Sequence, residues 1–536
     1  MAAERQGEDP PVHEDAAERL RALEARVRHE LDCLNRPPAN WVPPRRRGVE
    51  RVHDVVIIGG GMCGLVAWHA LWTGGVRDVR LLDRAAAGRE GPWLDYARME
   101  TLRSPKQLVG PALGIASLTC RAWYGARFGE AAWEALDKIP RTTWMAYLSW
   151  YARVLEAPVE NRVEVTRVEG EEGLLRLTLA GEGADERSIL ARKLVMATGR
   201  DGTGHPNIPA FAASLPRSRW AHTADDIDFA ALAGQRVALV GVGASAVDNA
   251  AEALEAGAAE VRFLIRRERM PTINKMMGIG SFGFTAGYAR LPDEWRWRFM
   301  HYSFATQTPP PHGSTRRVSR HENAFFHFGR SIERIVTNET DSGATSLRGA
   351  PSVSPSSARA DVARGSAPEP LLVQFDDGAV LETDFVILGT GFRTDPAART
   401  ELGEAAGEIL LWRDAYTPPD EERDEELGRF PYLASDFSFR ERRPGAAPWL
   451  GDVHCFNYGA AASMGKVSGD IPGISEGASW LARDIAATLY REDIETHWQN
   501  FQAYDKPELQ GDEWSASELP DRGGDRASTR RVSGAR

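Results

Sequence analysis

Twice along this chain an apolar strand runs straight into a glycine-rich turn and then a helix-compatible stretch, and few architectures can hold that pattern once, let alone twice. The first copy is Val55-Val56-Ile57-Ile58, followed by Gly59, Gly61 and Gly64, then a strand over 79–82 that ends in Asp83 and Arg84. The second runs over 237–240, then Gly241, Gly243, Ser245 and Ala246, and a strand over 261–265 that ends in Arg266 and Arg267. In each, the first glycine permits a tight strand-to-helix turn, the second lets backbone N–H groups approach a pyrophosphate, and the third small residue packs helix on sheet. The charge that ends the second strand then meets a ribose. Asp83 can accept hydrogen bonds from both hydroxyls of an unmodified ribose, with Arg84 beside it, whereas Arg266 and Arg267 offer a cationic fork to a 2′-phosphate. These end groups imply FAD at the first site and NADPH at the second.

Two further apolar strands end in Thr-Gly: one reaches Thr198 and Gly199, the other Thr390 and Gly391. Small residues there let the chain pass beside a bound nucleotide without a Cβ clash. They resemble the crossover segments of flavoproteins that bind two dinucleotides. One precedes and one follows the second fingerprint. The expected fold is therefore α/β with two Rossmann-like dinucleotide-binding domains, the NADPH domain inserted in the FAD domain, plus an N-terminal helix. In residue numbers this means a helical extension over 1–50, a first FAD segment over 51–205, an NADPH domain over 206–380, a second FAD segment over 381–510 and a disordered tail over 511–536. Residues 339–370 shift to Ser, Ala, Gly, Arg and Pro and read as a mobile insertion.

At 536 residues the chain is long enough for two cores of ordinary size. Its net charge of −11 argues against nucleic acid, whose phosphates call for a basic surface. No apolar run reaches the length of a membrane span and the N-terminus has no signal-peptide core, so a cytoplasmic enzyme with no membrane partner is expected. Cys33, Cys63, Cys120 and Cys455 form no CxxC pair, so no redox dithiol is written here. Periodic Leu, Ala and Val over 13–35 predict one amphipathic helix, ended by Pro37 and Pro38. Arg45-Arg46-Arg47 then reads as a solvated turn. Trp123, Trp133, Trp144 and Trp150 are expected in a core or a pocket wall. Metal-ligand spacing and a nucleophile elbow are both lacking.

Together the paired fingerprints, the Ser-Ala form of the second, Gly91 and Trp93 after the first and the two Thr-Gly crossovers resemble the class B flavin-dependent monooxygenases. The likeness covers about residues 52 to 490. In that family NADPH reduces FAD, O2 adds to the flavin, and the hydroperoxide survives because a dry, preorganised site excludes water. The resemblance implies a small-molecule substrate and O2 as partners and leaves open whether the chain forms a homo-oligomer. It ranks N-oxygenation of an amine or amino acid first, Baeyer–Villiger oxidation of a ketone second, and a non-oxygenating NADPH oxidase or reductase third.

Three residues carry the subgroup. His222, followed by Asp225 and Asp226, keeps the second half of a linker motif whose first half is altered: Ala213 stands where glycine is expected after Phe211. It either couples the NADPH domain to the flavin or bonds a loop carbonyl. Ser104 falls where flavin-containing relatives place an asparagine. Lys106 faintly resembles the lysine with which amino-acid N-hydroxylases hold a substrate carboxylate, its alternative being a solvent-facing side chain.

Overall fold

The computed structural model describes residues 9–185, 187–200, 202–337 and 369–516. Val55, Val56 and Ile57 are fully buried, as strands covered on both faces require. Their strand, Glu50–Ile58, runs parallel to Val79–Asp83 on one side and Ser188–Met196 on the other, and Val159–Asn161 extends the sheet beyond Val79–Asp83. Ser188–Met196 changes neighbour along its length. Its first half carries the antiparallel meander of Leu174–Ala180 and Glu164–Glu171, and its second half takes up Val453–Cys455 in parallel. A strand from late in the chain thus completes the sheet begun early in it. The helix Met62–Thr73 is buried over Met62 to Leu71, consistent with its apolar sequence on every face.

The second fingerprint lies in a separate five-stranded parallel sheet, in the order Ala324–Phe328, Glu260–Ile265, Arg236–Val240, Phe385–Leu388, Trp220–His222. An antiparallel sheet of Ile332–Thr337, Leu371–Phe375 and Val380–Thr383 leads into Phe385–Leu388. Because Phe385–Leu388 pairs beside Arg236–Val240, the chain leaves this sheet at Gly389, later than the expected division at 380. The insertion expected at 339–370 falls outside the described residues except for Glu369 and Pro370, and the tail expected at 511–536 does so beyond residue 516.

The same device closes both fingerprints. Each fingerprint strand lies next to the strand that ends in Thr-Gly: Ile58 aligns with Met196, and Val240 with Leu388. The chain then crosses between the sheets twice, and the two crossings pair with each other. Gly204–Pro206 runs antiparallel to Phe392–Thr394 as a two-stranded ribbon, with the Gly204 Cα so near the Arg393 carbonyl that an added Cβ would lie 1.8 Å from its oxygen.

The expected N-terminal helix spans Ala16–Cys33 and buries Leu23, Val27 and Leu31. Glu24 accepts hydrogen bonds from Trp150 and Arg153, and Glu30 from Ser117, so the helix is pinned to the tryptophan-rich region. Trp123, Trp133, Trp144 and Trp150 are all core residues, packed with Tyr124, Tyr147 and Tyr151. Arg45–Arg47 is an edge strand against Glu50–Val52 rather than a turn, and Arg47 pairs with Glu50 and Glu171. From Thr488 onward a separate unit contains the helix Ile494–Ala503, with exposed Trp498 and Phe501 and with Tyr490 stacked on His497. Among the described residues no helix is long and apolar enough to cross a membrane.

A Cβ at Gly64 would lie 1.7 Å from the Gly59 carbonyl oxygen, a backbone atom that cannot step aside. Gly64→Ala is therefore expected to cost about 3 kcal/mol or more by forcing helix and strand apart. Urea unfolding with a wild-type midpoint would disprove this account of the turn.

Candidate active site at the paired nucleotide-binding turns

The three glycines of the first turn have different reasons to be glycine. Gly59 has φ +104°, and a Cβ there would lie 2.5 Å from the Ala197 carbonyl oxygen. Gly64 is demanded by helix–strand contact, as above. Gly61 is not demanded by protein at all, since its added Cβ would meet nothing closer than Gly91 N at 3.7 Å. The second turn repeats the logic. A Cβ on Gly241, φ +95°, would lie 2.7 Å from the Gly389 carbonyl oxygen, while one on Gly243 would meet nothing within 4 Å. Ala246 takes the third position because its neighbour Gly389 has no Cβ; one there would lie 2.5 Å from that of Ala246. Gly61 and Gly243 each directly precede a helix, Met62–Thr73 and Ala244–Glu255, whose first-turn N–H groups have no intrahelical acceptor. Two bare, donor-rich helix starts of this kind fit anions, and the second leaves Ser245 exposed beside it.

Asp83 is 8% exposed and already oriented: its Oδ2 accepts from Gly60 N and its Oδ1 from Ala85 N, both at 2.7 Å. Each oxygen keeps a further lone pair. Arg84 beside it points to no described partner and is exposed. Arg266 is likewise exposed, whereas Arg267 donates from Nη1 to the Ala305 carbonyl at 3.0 Å. Trp93 packs edge-on against Trp144 at 6.3 Å, and its carbonyl accepts from Arg141, which holds the loop carrying Gly91 over Gly61.

Asn457 ties the first crossover down. Fully buried, it donates from Nδ2 to the Met196 carbonyl and to Thr198 Oγ1, both at 3.1 Å, and its Oδ1 accepts from Thr203 Oγ1 at 2.7 Å and Gly459 N at 2.8 Å. Gly199 has φ +79° and its carbonyl accepts from Tyr458 N. At the second crossover Thr390 Oγ1 donates to the Asn207 carbonyl, and the Gly391 carbonyl accepts from both Asn207 N and His222 Nε2, each at 2.9 Å.

His222 is 1% exposed, and both ring nitrogens are used: Nδ1 accepts from Ala224 N at 3.1 Å, so Nε2 carries the proton that goes to Gly391. Burial lowers its pKa against the opposing pull of that carbonyl and of Asp225. It is a neutral strut that locks the linker to the second crossover, with both ring nitrogens engaged.

Lys106 requires a correction. Its ammonium donates to the carbonyls of Trp133 at 2.6 Å, Glu134 at 3.1 Å and Leu136 at 2.6 Å, so all three donors are spent on the C-terminal end of the helix Glu130–Ala135. A substrate carboxylate would have to displace them. Ser104 is half-buried two residues earlier. Adjoining Ser104 is Arg103, a cation that sequence reasoning passed over, solvent-exposed as is Arg200. Partial desolvation lowers the pKa of Arg103, and the Arg200 charge pushes it the same way against the opposite pull of Asp248 and Asp470. The Arg200 guanidinium lies over the Tyr458 ring, 4.3 Å from its centroid. Arg103 adjoins Ser104 in sequence, and that adjacency was the available signal.

The family described as pyridine nucleotide-disulphide oxidoreductase matches residues 56–277, a span that includes both fingerprints. All four cysteines are free, so the match concerns the nucleotide-binding fold rather than dithiol chemistry. The FAD-dependent urate hydroxylase of Xanthomonas campestris pv. campestris is 35% identical over 92% of this chain and 98% of its own length. Among solved structures, the reduced ornithine hydroxylase of Pseudomonas aeruginosa has a TM-score of 0.57 at 16% identity, covering 82% of this chain and all of its own. The FAD-bound cadaverine monooxygenase of Erwinia amylovora has a TM-score of 0.57 at 14% identity, covering 82% and 95%. The chain is an oxidoreductase of the two-dinucleotide flavoprotein fold. It belongs to the flavin-dependent monooxygenase family that includes the urate hydroxylase.

Removing the three carbonyl contacts of Lys106 with Lys106→Met is expected to lower stability by about 1 kcal/mol while leaving the substrate KM unchanged. A raised KM at unaltered melting temperature would reinstate the residue as a substrate ligand. A second expectation concerns pH. His222 and His454 titrate below their unfolded values, and burial pushes His69 down to about 3. Stability from such groups is complete above about pH 6.5 and is lost as pH falls below it. The melting temperature should therefore drop between pH 7 and 5, with a shallower slope in His222→Gln; equal slopes would show that the fold does not lower the His222 pKa.

Proposed function

We propose that this chain is an NADPH- and FAD-dependent monooxygenase that places one O2-derived oxygen on an anionic, electron-rich heterocycle of the oxopurine class. The observation that carries the reading is the 35% identity to a urate hydroxylase, sustained over 92% of the chain. Bound FAD would supply electron transfer and oxygen activation. Its pyrophosphate would lie at Gly61 and the start of Met62–Thr73, with its ribose on Asp83 and Trp93 walling the loop above. NADPH would occupy the start of Ala244–Glu255 at Gly243 and Ser245, with its 2′-phosphate on Arg266 and Arg267. Thr198, Gly199, Thr390 and Gly391 would give both nucleotides room at the crossings. The NADPH domain then spans about 206–388, and the FAD domain comprises the segments on either side.

For the substrate, Arg103 and Arg200 supply what an oxopurine anion needs: guanidinium groups that stay charged and offer forked donors in the plane of a carbonyl-rich ring. Holding the anion charged keeps its ring carbon nucleophilic toward an electrophilic oxygen. N-oxygenation of an amino acid is the second reading, but it loses the carboxylate grip that Lys106 was expected to provide.

Urate, NADPH and 18O2 should give a product heavier by one 18O with NADPH consumed in step. Stoichiometric H2O2 and no labelled oxopurine would sink the proposal, and label appearing in a hydroxylamine from an amine panel would replace it with N-oxygenation. Arg103→Met should raise the urate KM roughly tenfold and leave anaerobic flavin reduction by NADPH unaltered. Replacing Arg266 and Arg267 by alanine should cost roughly 10- to 150-fold in kcat/KM for NADPH with little change for NADH; equal losses with both coenzymes would place the 2′-phosphate elsewhere.

A further inference from the structure

The helix that follows the second turn, Ala244–Glu255, carries Asp248, Glu252 and Glu255 at spacings of four and three, which puts three carboxylates on one face. Opposite them stands Arg317 on the helix His312–Ser319, its side chain 5% exposed. Its guanidinium donates to Glu255 through both Nε, at 2.9 Å to Oε1, and Nη2, at 2.6 Å to Oε2, and Nη2 also reaches Glu252 Oε1 at 2.9 Å. The remaining contacts leave this sheet altogether. Nη1 reaches the Arg98 carbonyl at 3.4 Å, and Nε lies 3.5 Å from Glu100 Oε1.

Arg98 and Glu100 belong to the loop that serves the first nucleotide site. Glu100 O accepts from Arg141 N, Leu102 N donates to the Ile139 carbonyl, and Arg141 holds the Trp93 carbonyl beside Gly91 and Gly61. A single buried guanidinium therefore joins the helix behind the second turn to the loop in front of the first. Buried charges of this kind persist only when their partners are in place, which makes the joint specific in geometry rather than a loose attraction.

We propose that Arg317 is a positioning residue that fixes the distance and angle between the two nucleotides, so that it governs hydride delivery from NADPH to the flavin. It touches neither nucleotide and acts through Glu252 and Glu255 on one side and Arg98 and Glu100 on the other. Asp248 strengthens the case. It is 4% exposed and its Oδ1 has no hydrogen-bond partner; burial pushes its pKa up to about 6, opposed by a hydrogen bond with Ser314 and by the charges of Arg317 and Arg103. A carboxylate held there depends on the surrounding arginines staying in position, so displacement of Arg317 unsettles the whole face.

The inference rests on the proposed FAD and NADPH sites, and the experiment separates the two. Wild-type enzyme that holds FAD yet is not reduced by NADPH would overturn the site assignment; the ratio of variant to wild type tests Arg317. Arg317→Met is expected to keep its FAD and to be reduced normally by dithionite, while its anaerobic reduction at saturating NADPH slows roughly tenfold and its H2O2 yield per NADPH rises. Arg317→Lys, which keeps the charge and loses the fork, should fall between. Because removal of a buried arginine can unfold a protein, Glu255→Gln provides a milder probe from the half-exposed side of the joint, with the same direction and a smaller effect. Wild-type reduction rates and peroxide yields in Glu255→Gln and in whichever Arg317 variant retains FAD would overturn the proposal. A parallel loss of dithionite reduction and FAD content would do so as well, by making the residue a general support of the fold.

Discussion

The fold depends on the buried amide of Asn457. A parallel strand that ends in Thr-Gly must leave its sheet with several backbone groups unpaired, and the late segment that carries Asn457 must dock against it. One fully buried side chain meets both needs by donating to Met196 and Thr198 and accepting from Thr203 and Gly459. Its own carbonyl takes a hydrogen bond from Ser468, whose carbonyl in turn lies 3.5 Å from the Cys63 sulfur on the helix Met62–Thr73. Leaving any of these groups unmet inside the protein costs about 1–3 kcal/mol. The strand Val453–Cys455, the first crossover and the helix Met62–Thr73 are therefore held as one piece.

What could be read from the sequence follows how local each constraint is. A tight turn that needs positive φ at Gly59 and Gly241 is satisfied within a few residues, so both turns, their strands and their helices were legible. The N-terminal helix was visible for the same reason, since its apolar face repeats along one segment. Phe385–Leu388 was recognised as a strand, but an apolar run does not say which sheet it joins. It lies beside Arg236–Val240, and that moves the division to Gly389. Lys106 and His222 were visible as polar residues in informative places, yet their partners, the carbonyls of Trp133, Glu134 and Leu136 and that of Gly391, are carried by distant segments. A carbonyl has no signature in sequence, so three spent ammonium donors look the same as three free ones until the chain is folded.

The two turns also show how one backbone motif is made selective. Both present bare helix starts that would take any phosphate. The ends of the next strands differ: Asp83 is held by two backbone N–H groups, whereas Arg266 stands exposed. An oriented carboxylate suits hydroxyls and repels a phosphate, whereas an unconstrained guanidinium can follow one.

Under the proposed function, the two coenzymes would have to meet in a place closed to water. The ribbon of Gly204–Pro206 and Phe392–Thr394 bears on this requirement. Two separate crossings would leave the sheets free to twist against each other, but crossings that are hydrogen-bonded side by side restrict motion to bending about one short axis. His222 stiffens one end of that axis by bonding Gly391, and Asn457 the other through Thr198. Polar contacts thus gather at the crossings, where Arg393 of the ribbon also lies 3.9 Å from Glu426, and Arg317 forms a further ionic joint between the two turns. With the crossings paired with each other and Arg317 bridging the helix Ala244–Glu255 to the loop of Arg98 and Glu100 at a second place, the two nucleotide-binding turns are joined at two separated points, and two such joints hold a spacing more firmly than either would alone.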